Sequence, residues 1–260
     1  MIDRKDIIAD LHVHTTHSKH AYNSLRDNLI FAERRNLKYI AITDHFLRNT
    51  SYGDHDKQEI ARLKGLNGEA VRKYNEFSDD KIGIISGIEL NIGHNCDYPE
   101  VISTLGLVIG GFHSWFIDRY KCRENGLTVL EAMKEQIRFL PAEVICHPER
   151  DLGKLFDKEE EKLDYLNFIV EYASKNNKIL EVNEASMVAY GLDDYIKYWL
   201  ALAKMNDVRI SIGSDAHFDF KVGLLDNSLK MLNLVDYPKE LIVNTNEEWL
   251  ENKAIPYKNG

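Results

Sequence analysis

The stretch Ile7-Ile8-Ala9-Asp10-Leu11-His12-Val13-His14 decides the expected fold, because it reads as a short buried strand that ends in two closely spaced histidines. Its apolar, β-branched start is typical of a strand covered on both faces, as in a parallel sheet. Side chains two residues apart on a strand share a face, so we expect His12 and His14 to reach one region of space.

Six more strand-like stretches follow, and amphipathic helical stretches lie between most of them. Two helices are predicted to begin with capping boxes, at Ser24 with Asp27 and at Thr128 with Glu131, and a third follows the acidic run 157–161. The connection 93–104 is too irregular for a predicted helix. Repeated strand–helix alternation predicts a parallel α/β fold. The predicted strands are residues 7–13, 39–43, 82–90, 105–112, 143–146, 179–182 and 208–213.

The composition excludes several classes of protein. With 44% hydrophobic and 29% charged residues, the 260-residue chain is neither disordered nor collagenous. No apolar run is long enough to span a membrane, and the first residues lack a signal-peptide pattern. A net charge of −9 argues against duplex nucleic acid as a partner. Three cysteines without a Cys-x-x-Cys motif predict a cytoplasmic protein, and a homo-oligomer stays open.

Six of the ten histidines lie at the carboxyl ends of predicted strands, together with Glu89 and Asp215. Parallel α/β folds build their active sites at the carboxyl ends of strands. Imidazoles and carboxylates together bind zinc, manganese or iron. Eight such groups exceed the four ligands of one tetrahedral ion, so two or three ions are predicted. The six histidines are His12, His14, His45, His113, His147 and His217.

Other residues have simpler interpretations. A His-x-His pair alone is weak evidence for a metal site, and only the combination of strand ends favours one. We interpret His17, His55 and His94 as surface residues in loops. Cys146 is predicted to be a small core residue that faces away from His147, because neighbours on a strand alternate.

Taken together, the motifs resemble the polymerase-and-histidinol-phosphatase (PHP) superfamily of metal-dependent phosphoesterases, and most closely its stand-alone bacterial phosphatases. The resemblance implies a distorted seven-stranded (β/α)₇ TIM-like barrel that forms a single domain over residues 1–260. The matching pieces, which follow the family's order, are Asp10-Leu11-His12-Val13-His14-Thr15, His20-Ala21-Tyr22, Ile42-Thr43-Asp44-His45, Gly87-Ile88-Glu89, Gly110-Gly111-Phe112-His113, His147-Pro148 and Gly213-Ser214-Asp215-Ala216-His217.

The resemblance also implies a site for two to three divalent ions, with Zn²⁺ favoured and Mn²⁺ or Fe²⁺ as alternatives. His20 enters through the resemblance alone, and His17 could be confused with it. By position, one ion takes His12, His14, Glu89 and Asp215, a second shares Glu89 and adds His113 and His147, and a third takes His20, His45 and His217.

The implied reaction is in-line attack of a metal-bridging hydroxide on a small phosphomonoester. Asp10 and Asp44, beside ligand histidines, are candidates to accept hydrogen bonds from imidazoles, and ordinary turn bonding is the alternative. Arg150 is a candidate phosphate clamp, against a surface ion pair with Glu149 or Asp151.

Three alternatives stay open on the sequence. The substrate could be histidinol phosphate specifically, or the enzyme could be a phosphodiesterase or exonuclease acting on nucleotides or short oligonucleotides. We interpret the aromatic and basic residues at 115–123 mainly as a substrate-side loop or subunit contact, although they are the best argument for nucleotide binding. The acidic net charge opposes a nucleic-acid substrate. A metal-binding module without turnover is the third alternative, and the complete ligand set argues against it.

Overall fold

The structure is a computed structural model that describes residues 1–18, 20–45, 82–91, 102, 105–113 and 126–254. The predictions for His55, His94 and residues 115–123 lie outside these residues, as does nearly all of the connection 93–104. The extent of one domain over residues 1–260 stays a prediction.

Seven parallel strands follow one another in one sheet, and each pairs with the next along the chain. The sheet nearly closes, because the His14 amide donates to the Ala216 carbonyl at 3.0 Å and the Asp215 amide to the His12 carbonyl at 2.8 Å. The predicted TIM-like α/β barrel is therefore confirmed. The strands are β1 (Ala9–Val13), β2 (Tyr39–Ile42), β3 (Gly83–Asn91), β4 (Leu107–Gly111), β5 (Val144–Ile145), β6 (Ile179–Asn183) and β7 (Ile210–Gly213).

Eight α-helices lie in the described part of the chain. Both predicted capping boxes are present: Ser24 accepts from the Asp27 amide, and Thr128 accepts from the Glu131 amide, each at 3.2 Å. None of the described helices is long and apolar enough to cross a membrane. The helices are α1 (Leu25–Arg34), α2 (Val129–Arg138), α3 (Leu152–Leu155), α4 (Glu159–Lys175), α5 (Glu184–Tyr190), α6 (Asp193–Met205), α7 (Asp226–Leu234) and α8 (Glu247–Ala254).

Apolar side chains pack on both faces of the strands. Alternate strand residues such as Leu11, Ile85 and Ile109 fill the barrel interior, where Leu250 of α8 joins them. Residues of the opposite parity, such as Ile88, pack against the surrounding helices. At the strand positions that face the barrel interior, apolar residues give way to polar ones towards the carboxyl ends of the strands. This change from apolar to polar residues places the site at that end of the barrel.

A β-bulge in β1 directs its histidines inward. The parallel register pairs Asp10 with Ile40 but Val13 with Ile42, so β1 has one residue more than β2 between these pairs. Leu11 belongs to the barrel interior, and without the extra residue His12 would point outward. Because of the bulge, the side chains of Leu11, His12 and His14 all point into the barrel.

Candidate metal centre

All nine predicted ligands lie at the carboxyl end of the barrel, in the described residues. Their rings form a continuous group: the His14 ring centroid lies 4.6 Å from that of His45 and 4.3 Å from that of His217. The His113 and His147 centroids are 5.2 Å apart. The structure brings together His12, His14, His20, His45, Glu89, His113, His147, Asp215 and His217.

Glu89, on β3, lies at the middle of this group. Its Oε1 lies 2.9 Å from His147 Nε2 and 3.8 Å from His113 Nε2. Its Oε2 lies 2.9 Å from His45 Nδ1 and 3.4 Å from His12 Nε2. Since the two oxygens face different histidines, this one carboxylate could bridge two ions.

Asp215 faces the two histidines that end β1. His12 Nε2 and His14 Nε2 are 3.0 Å apart, and Asp215 Oδ1 lies 3.5 and 3.1 Å from them. All three side chains are buried. Their donor atoms surround one small volume, as the shared strand face predicts.

A third group of donors lies towards the mouth of the barrel. Donor atoms of His14, His45 and His217 lie within 4.8 Å of one another. The His20 ring stacks on His217 at 4.6 Å between centroids. His20, which the strand pattern missed because it lies in a loop, is therefore part of the group. His17 lies in the turn Thr16–Ser18 and is not in any of the metal-sized donor groups found among the described residues.

The carboxylates are held in their charged form. Burial alone would raise the pKa of Glu89, but His45 and His12 hold that pKa well below its ordinary value. Burial opposes ionisation of Asp215 as well, and His12 and Arg150 again hold its pKa well below the ordinary value. Anionic carboxylates are the form that binds a metal ion.

Two of the histidines are held neutral. Burial, followed by the neighbouring His45 and His217, lowers the pKa of His14 well below its ordinary value. Burial lowers the pKa of His113 to about 3. Neutral imidazoles offer a lone pair to a cation, so this donor set fits divalent ions.

Glu181, at the end of β6, is a supporting residue to which the sequence assigned no role. It accepts a 2.7 Å hydrogen bond from His12 Nδ1 and a 3.0 Å bond from the His147 amide. Burial would lower the pKa of His12, but Glu181 and Asp215 raise it well above its ordinary value. Because Glu181 holds the Nδ1 proton, Nε2 is the nitrogen that faces the centre, and a metal ion would displace the proton from it. The sequence signal that could have identified Glu181 is its i, i+2 pairing with Asn183 at a strand end, which repeats the His12–His14 spacing.

Asp44 acts on a ligand histidine through a hydroxyl group. Its Oδ1 accepts 2.7 Å and 2.5 Å hydrogen bonds from the Thr15 amide and Ser18 Oγ. Ser18 Oγ lies 2.9 Å from His14 Nδ1. The predicted contact between Asp44 and an imidazole is thus relayed by Ser18.

Asp10 supports the backbone instead of a ring. Its carboxylate accepts from the amides of Ser214 at 2.9 Å and Gly223 at 2.8 Å. It thereby fixes the loop that carries Asp215 and His217. These contacts fit the alternative interpretation, in which Asp10 makes ordinary hydrogen bonds to a turn. Among the described contacts of Asp10, the expected hydrogen bond from an imidazole is absent.

The prediction that Cys146 faces away from His147 is wrong. Cys146 Sγ lies 3.4 Å from His147 Nε2 and 3.5 Å from Glu89 Oε1. His147 has φ 32°, in the left-handed region, so strand alternation stops at Cys146 and both side chains reach the centre. Cys146 is nevertheless buried in the interior core, as expected.

Two glycines leave room for this crowded centre. A Cβ at Gly111 would lie 2.4 Å from His147 Cε1 and 2.8 Å from Cys146 Sγ. A Cβ at Gly213 would lie 2.3 Å from Glu181 Oε1 and 2.4 Å from His12 Cβ. Only glycine lets both strands approach the ligands this closely.

A cavity of about 380 Å³ opens over the donors. Arg150 lines it and donates to Asp215 Oδ2 at 2.8 Å and to Asn183 Oδ1 at 2.7 Å. The surface ion pair with Glu149 or Asp151 is not the contact that Arg150 makes here. The lining comprises His20, His45, His113, Arg150, Asp151, Lys154, Ala185, Ala189, Tyr190, Asp215, His217 and Lys221.

Comparisons with known proteins point to one protein family. The PHP domain family model matches residues 10–185, which is more than half of the chain. A protein named probable phosphatase from Acetivibrio thermocellus is 29% identical over 248 residues, which cover 93% of this chain and 92% of that protein. The probable phosphatase YcdX of Escherichia fergusonii is 28% identical over 241 residues, 90% of this chain and 89% of that protein.

A solved structure shares the fold. It is histidinol phosphate phosphatase from Lactococcus lactis, complexed with zinc, L-histidinol and phosphate. The TM-score is 0.61 at 16% identity, and the match covers 89% of this chain and 95% of that one. The family match, the relatives and the shared barrel lead to one conclusion: this chain belongs to the PHP domain family.

Proposed function

We propose that this protein is a metal-dependent phosphatase that hydrolyses a small-molecule phosphomonoester. The observation that carries the proposal is the convergence of nine imidazole and carboxylate side chains beneath a cavity that Arg150 lines. Membership of the PHP domain family and the relatives named probable phosphatase support the same reaction.

The proposed centre holds two to three divalent ions, with Zn²⁺ favoured and Mn²⁺ or Fe²⁺ as alternatives. Glu89 supports two neighbouring ions, because its two oxygens face different histidines. The assignment is His12, His14, Glu89 and Asp215 for one ion, Glu89, His113 and His147 for another, and His20, His45 and His217 for a third. When bound, such ions supply positive charge for phosphate oxygens and acidify a water nucleophile.

The chain's own residues prepare the site for this chemistry. Glu181 keeps the His12 lone pair directed inward, and Ser18 with Asp44 does the same for His14. Without such partners, the rings would lose part of their orientation and metal affinity. The ligand geometry is therefore built before any substrate enters.

Arg150 is the proposed phosphate-binding side chain. One hydrogen bond to Asp215 and one to Asn183 fix its guanidinium, and the Tyr190 ring lies 5.2 Å from its central carbon. Its buried Nε makes no hydrogen bond among the described residues. A guanidinium has five N–H donors, and those to Asp215, Asn183 and Ser186 use three of them, with Nε buried as a fourth. The remaining Nη1–H is the donor proposed to bind a phosphate in the cavity. The cavity volume favours a small substrate over a polymer.

The test is a substrate panel on metal-reconstituted protein with a chelator control. The panel pairs p-nitrophenyl phosphate with bis-p-nitrophenyl phosphate, and adds histidinol phosphate. We expect chelator-sensitive turnover of the monoester and slow turnover of the diester. Faster diester hydrolysis would overturn the proposal in favour of a phosphodiesterase, and fast histidinol phosphate would identify the specific substrate.

A matched pair of histidine variants separates the centre from the loop beside it. His217→Ala removes a proposed ligand and should abolish turnover. His17→Ala, in the nearby turn Thr16–Ser18, should retain it. Equal activity in both variants would contradict the proposed ligand set.

A further inference from the structure

We propose that the thiol of Cys146 is a ligand of the metal ion held by Glu89, His113 and His147. This inference rests on the proposed metal centre and adds a sulfur donor to its histidines and carboxylates. The thiol would lose its proton to solvent as it coordinates the ion, since thiolate is the ligating form.

The distances among the donors match the edges of one tetrahedral ligand shell. Cys146 Sγ lies 3.4 Å from His147 Nε2 and 3.5 Å from Glu89 Oε1. With zinc bonds of about 2.3 Å to sulfur and about 2.0–2.1 Å to nitrogen or oxygen, tetrahedral geometry places sulfur roughly 3.5 Å from its neighbours. His147 and Glu89 are 2.9 Å apart, and His113 Nε2 lies 3.8 Å from the same Glu89 oxygen. The donor atoms of Glu89, Cys146 and His147 thus lie within 4.8 Å of one another and surround one volume, which His113 approaches at the shared Glu89 oxygen.

The surroundings of the thiol support coordination. Cys146 and His147 are both essentially buried, at 0% and 1% exposure. The left-handed backbone at His147 brings two adjacent side chains, Cys146 and His147, to one carboxylate.

A Cys146 ligand would not block the cavity through which substrate reaches the metal centre. Cys146 packs with Val144 and Ile109 in the interior core and is not among the residues that line the cavity beside Arg150 and Tyr190. A sulfur ligand would therefore leave the cavity free for water and substrate.

X-ray absorption at the zinc edge tests the proposal directly. In the zinc-loaded full chain we expect a sulfur neighbour at about 2.3 Å, alongside nitrogen and oxygen at about 2.0–2.1 Å. Cys146→Ser should remove that sulfur shell and keep the hydroxyl contact to Glu89. The other two cysteines, Cys96 and Cys122, provide the control, because Cys96→Ser/Cys122→Ser should retain the shell.

A second readout is metal preference. Soft sulfur favours thiophilic cations, so Cys146→Ser should weaken Cd²⁺ binding by about tenfold or more and change Mn²⁺ affinity little. A wild-type zinc protein with only nitrogen and oxygen neighbours would overturn the sulfur ligand and leave the phosphatase proposal intact. A protein that binds none of Zn²⁺, Mn²⁺ and Fe²⁺ would overturn both.

Discussion

Replacing Glu181 by glutamine tests whether a residue that hydrogen-bonds to the ligand histidines controls metal binding. The carboxylate serves three donors at once: His12 Nδ1 at 2.7 Å, the His147 amide at 3.0 Å and Asn183 Nδ2 at 3.0 Å. Glutamine offers one acceptor oxygen where glutamate offers two, so either His12 or the His147 amide loses its partner. The substitution also removes a negative charge beside His12.

The expected magnitude follows from which contact is lost. Second-layer partners of metal-binding histidines contribute about 10- to 100-fold in affinity, which is about 1.4–2.8 kcal/mol. If the amide of His147 is left unpaired instead, the free energy of unfolding falls by about 1–3 kcal/mol. We expect zinc affinity to fall in either orientation of the new amide, because the substitution always removes the negative charge that Glu181 places beside His12.

The assay is competition between apo-protein and a chelator for Zn²⁺, measured for Glu181→Gln and wild type. Glu171→Gln is the matched control, because Glu171 is exposed and pairs only with Lys175 on the same helix face among the described residues. The control should bind zinc like wild type. Zinc affinity of Glu181→Gln within twofold of wild type, with unchanged unfolding free energy, would refute the reasoning.

Three further predictions concern the neighbouring residues. Gly111→Ala places a Cβ 2.4 Å from His147 Cε1, so it should lower the free energy of unfolding by about 1–3 kcal/mol and weaken zinc binding. The control is Gly153→Ala, whose Cβ would have nothing within 4 Å and which should bind zinc normally. Arg150→Gln should raise KM for p-nitrophenyl phosphate at saturating metal and weaken inhibition by inorganic phosphate, and an unchanged KM would contradict a phosphate-binding role. The pKa of His113, lowered by burial to about 3, predicts that metal-free protein loses stability as pH falls from about 6.5, because the unfolded chain takes up the proton first. Chemical denaturation at pH 7 and 5 should show a smaller stability loss in His113→Asn than in wild type, and an equal loss would contradict this assignment.

The strands and most of the donors could be predicted because both depend on local pattern. Short β-branched stretches gave seven strands within two residues of their observed bounds, and polar residues at their carboxyl ends gave the direction of the site. Chain order alone then brings those ends together in a parallel barrel. His20 required the family resemblance, since it lies in a loop that carries no periodic signal.

What the sequence did not reveal depends on two local departures from strand geometry. Alternation predicts that Leu11 and His12 point to opposite faces, yet the bulge in β1 turns both inward. Alternation likewise separates Cys146 from His147, and the left-handed backbone at His147 cancels it. Such irregularities arise from tertiary contacts across strands, so a single sequence does not show them.

The most direct test of the account is turnover measured against the number of ions bound. Apo-protein would be titrated with Zn²⁺, bound metal counted per chain, and p-nitrophenyl phosphate hydrolysis followed at each step. We expect negligible turnover without metal and activity that appears only as two or three ions are bound per chain. Turnover that persists in metal-free protein, or a fully loaded protein that hydrolyses no phosphate ester, would contradict it.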